Sequence, residues 1–228
     1  MGRGNKEKHV GSAAGKGSIQ SRLCWSNFQM RHLLLLALVC SMSTSEWAGS
    51  GPKDGTILII RHGEKTGEKD DIGLSKAGAK RAQDYASYFT STRIQGESIT
   101  PDFLFASAES KHSDRPRLTL VPLSQKLHEK IVVKFDEKDT TGIAKELRSA
   151  KYDGKKTLIC WHHGEIPNLL TEFGVDAQRL LGPGGWPDDV FCWMVILHFG
   201  HGGALKAVSV VNEHLEKGDA MYPYPPQR

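Results

Sequence analysis

Short apolar segments alternate with segments of helical periodicity through the middle of the chain. Apolar side chains recur with helical spacing in residues 74–89 and again in residues 118–128, which predicts two helices. Between and around these helices, four apolar segments are short enough to be buried strands: residues 56–60, 102–105, 131–135 and 157–161. Such alternation predicts an α/β domain, a three-layer α/β/α sandwich with a mainly parallel sheet covered on both sides.

Shorter elements follow in the second half of the chain. Asp139 stands at the position that caps a helix, and a helix is predicted over residues 140–147. Two later apolar segments are separated by a glycine-rich turn and are expected to pair as a hairpin at a sheet edge, at residues 190–199 and 205–211.

The first 50 residues differ from the rest in charge. Six of the 30 Lys and Arg residues and two of the 26 Asp and Glu residues fall there, which leaves 24 of each in the remainder. The net charge of +4 therefore belongs to this part, and the neutral remainder gives no argument for nucleic-acid binding. We interpret residues 1–50 as a leader and residues 51–228 as one domain with a single core.

Within the leader, residues 30–48 resemble a secretory signal peptide. The apolar run 33–42 follows positive charge, precedes small residues and is shorter than a typical membrane span. A signal cleaved near Ala48 or Ser45 is favoured, and with it a secreted or lumenal location without stable membrane insertion. Three alternatives stay open: Met30 as the true start, an organelle-targeting leader, and an apolar run retained as a membrane anchor.

Four cysteines are divided between the two parts. Cys24 and Cys40 belong to the leader, whereas Cys160 and Cys192 lie in apolar segments of the domain. Buried free thiols are favoured for the second pair, because a disulfide requires their two strands to be neighbours, which the sequence leaves open.

Two of the predicted strands end in histidine. The first is followed directly by Arg61 and His62, and the fourth by His162 and His163. Either segment alone would fit a polar turn after a core strand. The carboxyl ends of parallel strands, however, form the ligand crevices of open α/β sheets, so the two segments together predict one pocket.

Imidazole and guanidinium groups in one pocket suit phosphoryl transfer. A neutral imidazole can attack phosphorus, and fixed positive charge stabilises the phosphoryl oxygens. Arginine suits the second task because its planar fork is always charged and binds two oxygens at once. Phosphoryl transfer through histidine is therefore the predicted chemistry.

Four blocks of the chain resemble the histidine phosphatase superfamily, which includes phosphoglycerate mutases and many phosphatases. They lie at residues 59–64, 71–78, 105–119 and 163–164. By this resemblance, His62 is the histidine that becomes phosphorylated, and Arg61 and Arg115 bind the phosphate. The resemblance also implies that His163 is the second catalytic histidine and that the fold is phosphoglycerate mutase-like.

Arg117 competes with Arg115 for the phosphate-binding role. The segment before Arg115 is longer than the resemblance leads us to expect, and Pro116 follows it. Proline is tolerated in the first turn of a helix, so Ser113 or Asp114 is expected to cap a helix that begins at Arg115. Such a helix would place Arg115 at its end nearest the cleft.

His162 is an alternative to His163 as the second catalytic histidine. We prefer His163 because Gly164 follows it directly. Side chains alternate along an extended segment, so only one of the two histidines is expected to meet His62. His162 is then expected to pack against its neighbours or bind a loop.

The chain departs from the mutases of that family in two ways. Glu68 stands where they have an asparagine, and a carboxylate there would repel phosphate. Their acidic segment rich in glycine and tryptophan has no counterpart here, so the acid that protonates the leaving group is open between Asp136, Glu137 and Glu165. Asp136 and Glu137, together with Asp139, could equally cap the helix predicted over residues 140–147.

These observations predict a phosphatase that hydrolyses phosphate monoesters through a phosphohistidine on His62. The alternatives are a phosphomutase of the phosphoglycerate mutase type and a catalytically degenerate scaffold that binds phosphorylated ligands. We expect no metal or organic cofactor, a small phosphorylated substrate and no nucleic-acid partner. The physiological substrate and the oligomeric state stay open.

Overall fold

The computed structural model describes residues 51–68 and 70–221. The predicted leader, with its signal-like segment 30–48, therefore lies outside the described residues. Within the two described ranges, every helix is too short or too polar to cross a membrane.

Six strands form the central sheet of the described residues, four from the first set of predicted apolar segments and two from the predicted hairpin. The strands along the chain are β1 (Thr56–Arg61), β2 (Arg93–Ile94), β3 (Glu97–Ser98), β4 (Phe103–Ala106), β5 (Ile131–Val132), β6 (Lys156–Trp161), β7 (Trp193–Phe199) and β8 (Leu205–Asn212). The sheet order is β5-β4-β6-β1-β7-β8, while β2 and β3 form a separate ribbon. The first four strands of the sheet are parallel, β7 is antiparallel to its neighbour β1, and β8 is antiparallel to β7. The predicted mainly parallel sheet and its closing hairpin are confirmed.

In residues 51–68 and 70–221, five α-helices connect these strands, and local capping starts several of them. They are α1 (Lys76–Ser91), α2 (Arg115–Leu127), α3 (Thr140–Leu147), α4 (Ile166–Glu172) and α5 (Ala177–Leu181), with 3₁₀ turns at Ala150–Tyr152 and Lys217–Met221. The Ser75 hydroxyl accepts a hydrogen bond from the Gly78 amide at 3.1 Å, which starts α1. Asp139 accepts one from the Gly142 amide at 2.9 Å and starts α3, as predicted.

Alternate residues of β1 enter two separate cores. Ile57 and Ile59 pack with side chains of α3, α4 and α5, whereas Leu58 and Ile60 pack with side chains of α1 and α2. All four are fully buried, which is why this strand has a continuous apolar sequence instead of an alternating one. The helices cover both faces of the sheet, so the predicted three-layer α/β/α sandwich is confirmed.

The boundaries of some elements differ from the prediction. The predicted strand 131–135 is reduced to β5, because it lies at the sheet edge and the following Val133 and Lys134 are exposed. The ribbon of β2 and β3 was not predicted. It turns through Gln95 and Gly96, which both have positive φ, the requirement of a tight hairpin turn.

Cys160 and Cys192 are buried free thiols. Cys160 lies in β6 and Cys192 directly precedes β7, and β1 separates these two strands in the sheet. The favoured prediction of unpaired thiols is confirmed for the domain.

Candidate active site

The carboxyl ends of β1 and β6 meet at one edge of the sheet. Arg61 lies opposite Trp161 in the parallel register, and the His62 amide donates to the Trp161 carbonyl oxygen at 3.1 Å. His62 and His162 therefore follow their strands at the same level. The parallel pairing brings the two predicted histidine segments to one site.

His62 is buried and electrically neutral at ordinary pH. It is 3% exposed, and its Nδ1 lies 2.7 Å from the Gly63 carbonyl oxygen. A carbonyl oxygen only accepts, so Nδ1 carries the proton and Nε2 keeps its lone pair. Burial above all, with the positive charges of Arg61 and Arg115 and the neighbouring His162, lowers the pKa of His62 to about 2, against the opposing effect of the Gly63 bond. An unprotonated Nε2 has the lone pair that a nucleophile requires, without an activating base.

The ring against His62 is that of His162. Their ring centroids lie 5.1 Å apart with an interplanar angle of 67°. The expectation that His162 packs away from His62 is therefore wrong. β6 ends at Trp161, so both following histidines lie in a turn, where the alternation of strand side chains no longer applies. Burial lowers the pKa of His162 to about 4, which leaves this ring neutral at pH 7 as well.

His163 has different neighbours from His162. Its Nε2 is 3.2 Å from Oδ1 of Asp188. Burial, and then the charge of Arg61, lowers the pKa of His163, although Asp188 opposes this. His163 is therefore near Arg61, and its assignment as the second catalytic histidine stays a prediction.

The Arg61 guanidinium is fixed by hydrogen bonds to one loop, and one of its N–H donors has no partner among the described residues. It is 1% exposed, and its guanidinium carbon lies 3.8 Å from the centroid of the Phe191 ring. Nη1 donates to three carbonyl oxygens, those of Pro187 at 3.1 Å, Asp188 at 2.6 Å and Val190 at 3.1 Å. Nε is buried without a hydrogen-bond partner in residues 51–68 and 70–221. Burial lowers the pKa of Arg61 to about 10, so the group stays charged at pH 7.

The geometry favours Arg115 over Arg117 as the second cation of the site. Arg115 begins α2 as predicted, and donates from Nη1 to the Asp71 carbonyl oxygen at 2.8 Å and from Nη2 to that of His112 at 3.1 Å. Its Nε is buried without a partner in the part of the chain that the structure describes. Arg117 instead pairs with the Asp114 carboxylate, through Nε–Oδ1 at 2.9 Å and a short Nη2–Oδ2 contact. Asp114 therefore binds Arg117, and it makes no capping bond at the start of α2.

Arg115 also acts electrostatically on the two imidazoles. Its positive charge is among the causes that lower the pKa values of His62 and His162. A cavity of about 200 Å³ adjoins it, lined by Lys65, Gly67, Glu68, Asp70, Asp71, His112 and Arg115. Glu68, the residue that departs from the mutase pattern, is exposed and lines this cavity together with Arg115.

Of the three candidate acids, Glu137 is the one whose carboxylate contacts an imidazole, that of His162. Its Oε2 lies 3.4 Å from Nε2 of His162, and its side chain is half-exposed. Glu165 accepts a hydrogen bond from Asn168 at 2.7 Å, and Asp136 is exposed. Glu137 is the carboxyl that this geometry offers for proton transfer.

Ser107 follows β4 at the same edge of the sheet. Ala106, the last residue of β4, pairs with Cys160, so Ser107 leaves its strand beside the end of β6. The residue is 1% exposed, and its hydroxyl oxygen is buried without a hydrogen-bond partner in the described ranges. Together with the Nε atoms of Arg61 and Arg115, it makes three unpaired buried polar groups in segments that meet at this edge. Unpaired buried donors are costly, so the arrangement suits a ligand with several acceptor oxygens.

Glu64, the last residue of the block 59–64, has a structural role. Its carboxylate accepts from Nε of Arg81 at 3.0 Å and from Nη2 at 2.8 Å. Arg81 also binds Asp219 in the last described segment, with Nη2–Oδ1 at 2.9 Å. Although burial alone would lower it, these bonds raise the pKa of Arg81. The buried network joins the loop after His62 to α1 and to residues near the end of the domain.

Sequence reasoning did not find two residues that contact this site. The Asp188 carbonyl oxygen binds Arg61 and its carboxylate binds His163, although it lies 127 residues from Arg61. Thr119 bonds to the Gly63 amide. Local signals existed for both, because Thr119 ends the block 105–119 of the resemblance, and the loop of Asp188 is dense in Gly, Pro and Trp between two predicted elements, as functional loops often are.

No protein-family model and no curated protein matches this chain. Among solved structures it is similar to a candidate phosphohistidine phosphatase, SixA, from Agrobacterium tumefaciens, at 18% identity and a TM-score of 0.45 over 68% of this chain and 98% of that one. It is similar to a protein histidine phosphatase SixA complexed with tungstate, at 14% identity and a TM-score of 0.47 over 69% and 97%. It is also similar to a mycobacterial glucosyl-3-phosphoglycerate phosphatase with inorganic phosphate, at 14% identity and a TM-score of 0.43 over 69% and 97%. At these identities the comparison concerns the backbone, and the assignment of residues depends on the contacts described above.

Proposed function

We propose that this chain is a histidine-dependent phosphatase that hydrolyses phosphate monoesters through a phosphohistidine on His62. One observation carries the proposal: a buried neutral imidazole with Nε2 unprotonated lies near two arginines, Arg61 and Arg115, each of which has a buried Nε without a partner in the described residues. A phosphoryl group would supply the acceptors that both guanidinium groups lack.

In the first step, the Nε2 lone pair of His62 attacks phosphorus while the bond from phosphorus to the leaving oxygen breaks. The imidazole gains positive charge, which the Gly63 carbonyl oxygen stabilises because it accepts the Nδ1 proton in a hydrogen bond. Arg61 and Arg115 bind the phosphoryl oxygens. Their fixed positive charge stabilises the negative charge that develops on these oxygens.

In this proposal Glu137 transfers the proton to the leaving group and takes one from the attacking water. Its protonated carboxyl donates to the leaving alkoxide, and the resulting carboxylate then accepts a proton from the water that attacks the phosphohistidine. Inorganic phosphate leaves, and both His62 and Glu137 return to their starting states. The contact of Glu137 with His162, at 3.4 Å, would hold the carboxyl beside the reacting group.

The test measures phosphate release from an aryl phosphate and a panel of phosphate esters, including phosphoglycerates, and from phosphohistidine. Wild type is compared with His62→Ala, for which we expect a loss of at least about 1000-fold in kcat, the scale for removal of a nucleophile. His201→Ala is the matched control, because His201 is exposed and pairs only at the surface with Asp54. In wild type, mass spectrometry after alkaline denaturation should find one phosphoryl group on His62.

Three outcomes would contradict the proposal. No phosphate release by wild type from any of these compounds, across acidic to neutral pH, would exclude the phosphatase. Transfer between positions of a phosphoglycerate without net release would instead identify a mutase. Phosphate binding without turnover would identify a scaffold.

A further inference from the structure

Thr119 connects the two parts of the chain that supply the proposed nucleophile and one of its cations. The residue is fully buried in α2, four positions after Arg115. Its Oγ1 accepts a hydrogen bond from the Gly63 amide at 2.9 Å and donates one to the Arg115 carbonyl oxygen at 2.8 Å. One hydroxyl therefore bonds to both segments and has its donor and its acceptor function occupied.

Gly63 is the residue that sets the orientation of the His62 ring. Its carbonyl oxygen binds Nδ1 of His62 at 2.7 Å, which directs Nε2 away from the backbone. On its other side Gly63 lies close to α1, because a Cβ atom at this position would come within 2.9 Å of the Gly78 carbonyl oxygen. The Gly63 backbone is thus held between α1 and the Thr119 hydroxyl.

A hydroxyl that bonds to the carbonyl four residues earlier is common in helices and has no function by itself. The bond to Gly63 is different, because it crosses 56 residues of sequence and satisfies a buried amide. Loss of this bond would leave that amide unpaired beside the nucleophile. It would also remove the hydrogen bond that connects α2, which carries Arg115, to the segment after His62.

We propose that Thr119 is a positioning residue for the reaction: its hydroxyl fixes His62, through Gly63, relative to Arg115. The inference depends on the proposed function for its catalytic meaning. Because a misplacement of about 1 Å can cost about 100-fold in rate, loss of such a tether should affect turnover more than folding.

Two substitutions separate positioning from packing. Thr119→Val keeps the shape of the side chain but removes both hydrogen bonds, whereas Thr119→Ser keeps the hydroxyl and loses a methyl group. If only packing matters, the serine variant should be the more impaired of the two. If the hydroxyl matters, Thr119→Ser should keep the orientation of His62 and the kcat that Thr119→Val loses. Thr119→Ala, which also lacks the hydroxyl, replaces the valine variant if that one does not fold.

Two measurements are made on the full chain. The first follows the Nδ1 proton of His62 by NMR, with assignment from its disappearance in His62→Gln. We expect it to be protected from exchange in wild type and in Thr119→Ser, and lost in Thr119→Val. The second is kcat on an aryl phosphate, which should fall about 10- to 100-fold in Thr119→Val and stay within about 3-fold of wild type in Thr119→Ser.

Retention of either the proton signal or the wild-type kcat in Thr119→Val would overturn the inference, as would equal loss in the serine variant. If wild type hydrolyses no phosphoester, the proposed function fails, and the NMR measurement still decides whether Thr119 positions His62.

Discussion

The imidazole rings of His62 and His162 meet edge to face, with 5.1 Å between their centroids. His163, which was preferred from the sequence, instead contacts the Asp188 carboxylate, with 3.2 Å between Nε2 and Oδ1. The structure therefore gives two adjacent histidines different neighbours, and substitution can rank their contributions to catalysis.

We expect His162→Ala to lower kcat about 100-fold, because the ring that contacts the nucleophile and Glu137 is removed from where charge develops. We expect His163→Ala to lower kcat by less than about 10-fold, because its partner Asp188 lies at the exposed side of the site. Steady-state kinetics on an aryl phosphate measure both. A larger loss in His163→Ala would restore the preference derived from the sequence.

Arg115 and Arg117 provide a matched pair on one helix. Arg115→Gln should raise both KM and the inhibition constant for inorganic phosphate about 10- to 100-fold, because a charge-assisted bond to phosphate is lost. Arg117→Gln should change them by less than about 3-fold, because Arg117 pairs with Asp114 in a partly exposed bridge. Equal effects of the two substitutions would contradict the assignment.

Glu137 should matter most for poor leaving groups. An alkoxide needs a proton when it leaves, whereas a nitrophenolate does not. We therefore expect Glu137→Gln to lower kcat about 100-fold on an alkyl phosphate and much less on p-nitrophenyl phosphate. Glu165→Gln is the control, because Glu165 is bound by Asn168. A uniform loss on both substrates would assign Glu137 a role other than proton donation.

The strand ends that carry the site could be predicted from the sequence because their causes are local. Buried parallel strands have continuous apolar sequences, so β1 and β6 were identifiable, and parallel pairing then places His62 and His162 side by side. The start of α2 at Arg115 followed from the tolerance of proline in a first helical turn. These features depend on a few neighbouring residues each.

The partners of the site residues could not be predicted, because they depend on where distant loops lie. Three carbonyl oxygens that hold Arg61 are 126 to 129 residues away in the sequence. Which of His162 and His163 contacts His62 depends on where β6 ends. The strand ends at Trp161, and the next residues form a turn. Nothing in a local pattern reports such a boundary.

Glu213 should make the stability of the domain depend on pH. Its side chain is buried, Oε2 accepts from the Tyr85 hydroxyl at 2.7 Å, and Oε1 is unpaired within the described residues. Burial, with the nearby carboxylates of Asp219 and Glu64 and against the effect of Arg81, raises the pKa of Glu213 from 4.5 to about 8. The carboxyl is therefore protonated in the folded protein at pH values where the unfolded chain has lost that proton.

The sign of the pH dependence follows from this difference in bound protons. Between pH 4.5 and about 8 the folded state holds the Glu213 proton and the unfolded state does not, so the free energy of unfolding falls as pH rises through this window. Urea unfolding at about pH 5, 7 and 9 measures this slope. Glu213→Gln should reduce it, since the amide resembles the protonated carboxyl in shape and has no charge to acquire. Glu129→Gln, at an exposed position, should leave it unchanged. An identical slope in wild type and Glu213→Gln would show that another group controls the stability of the domain in this range.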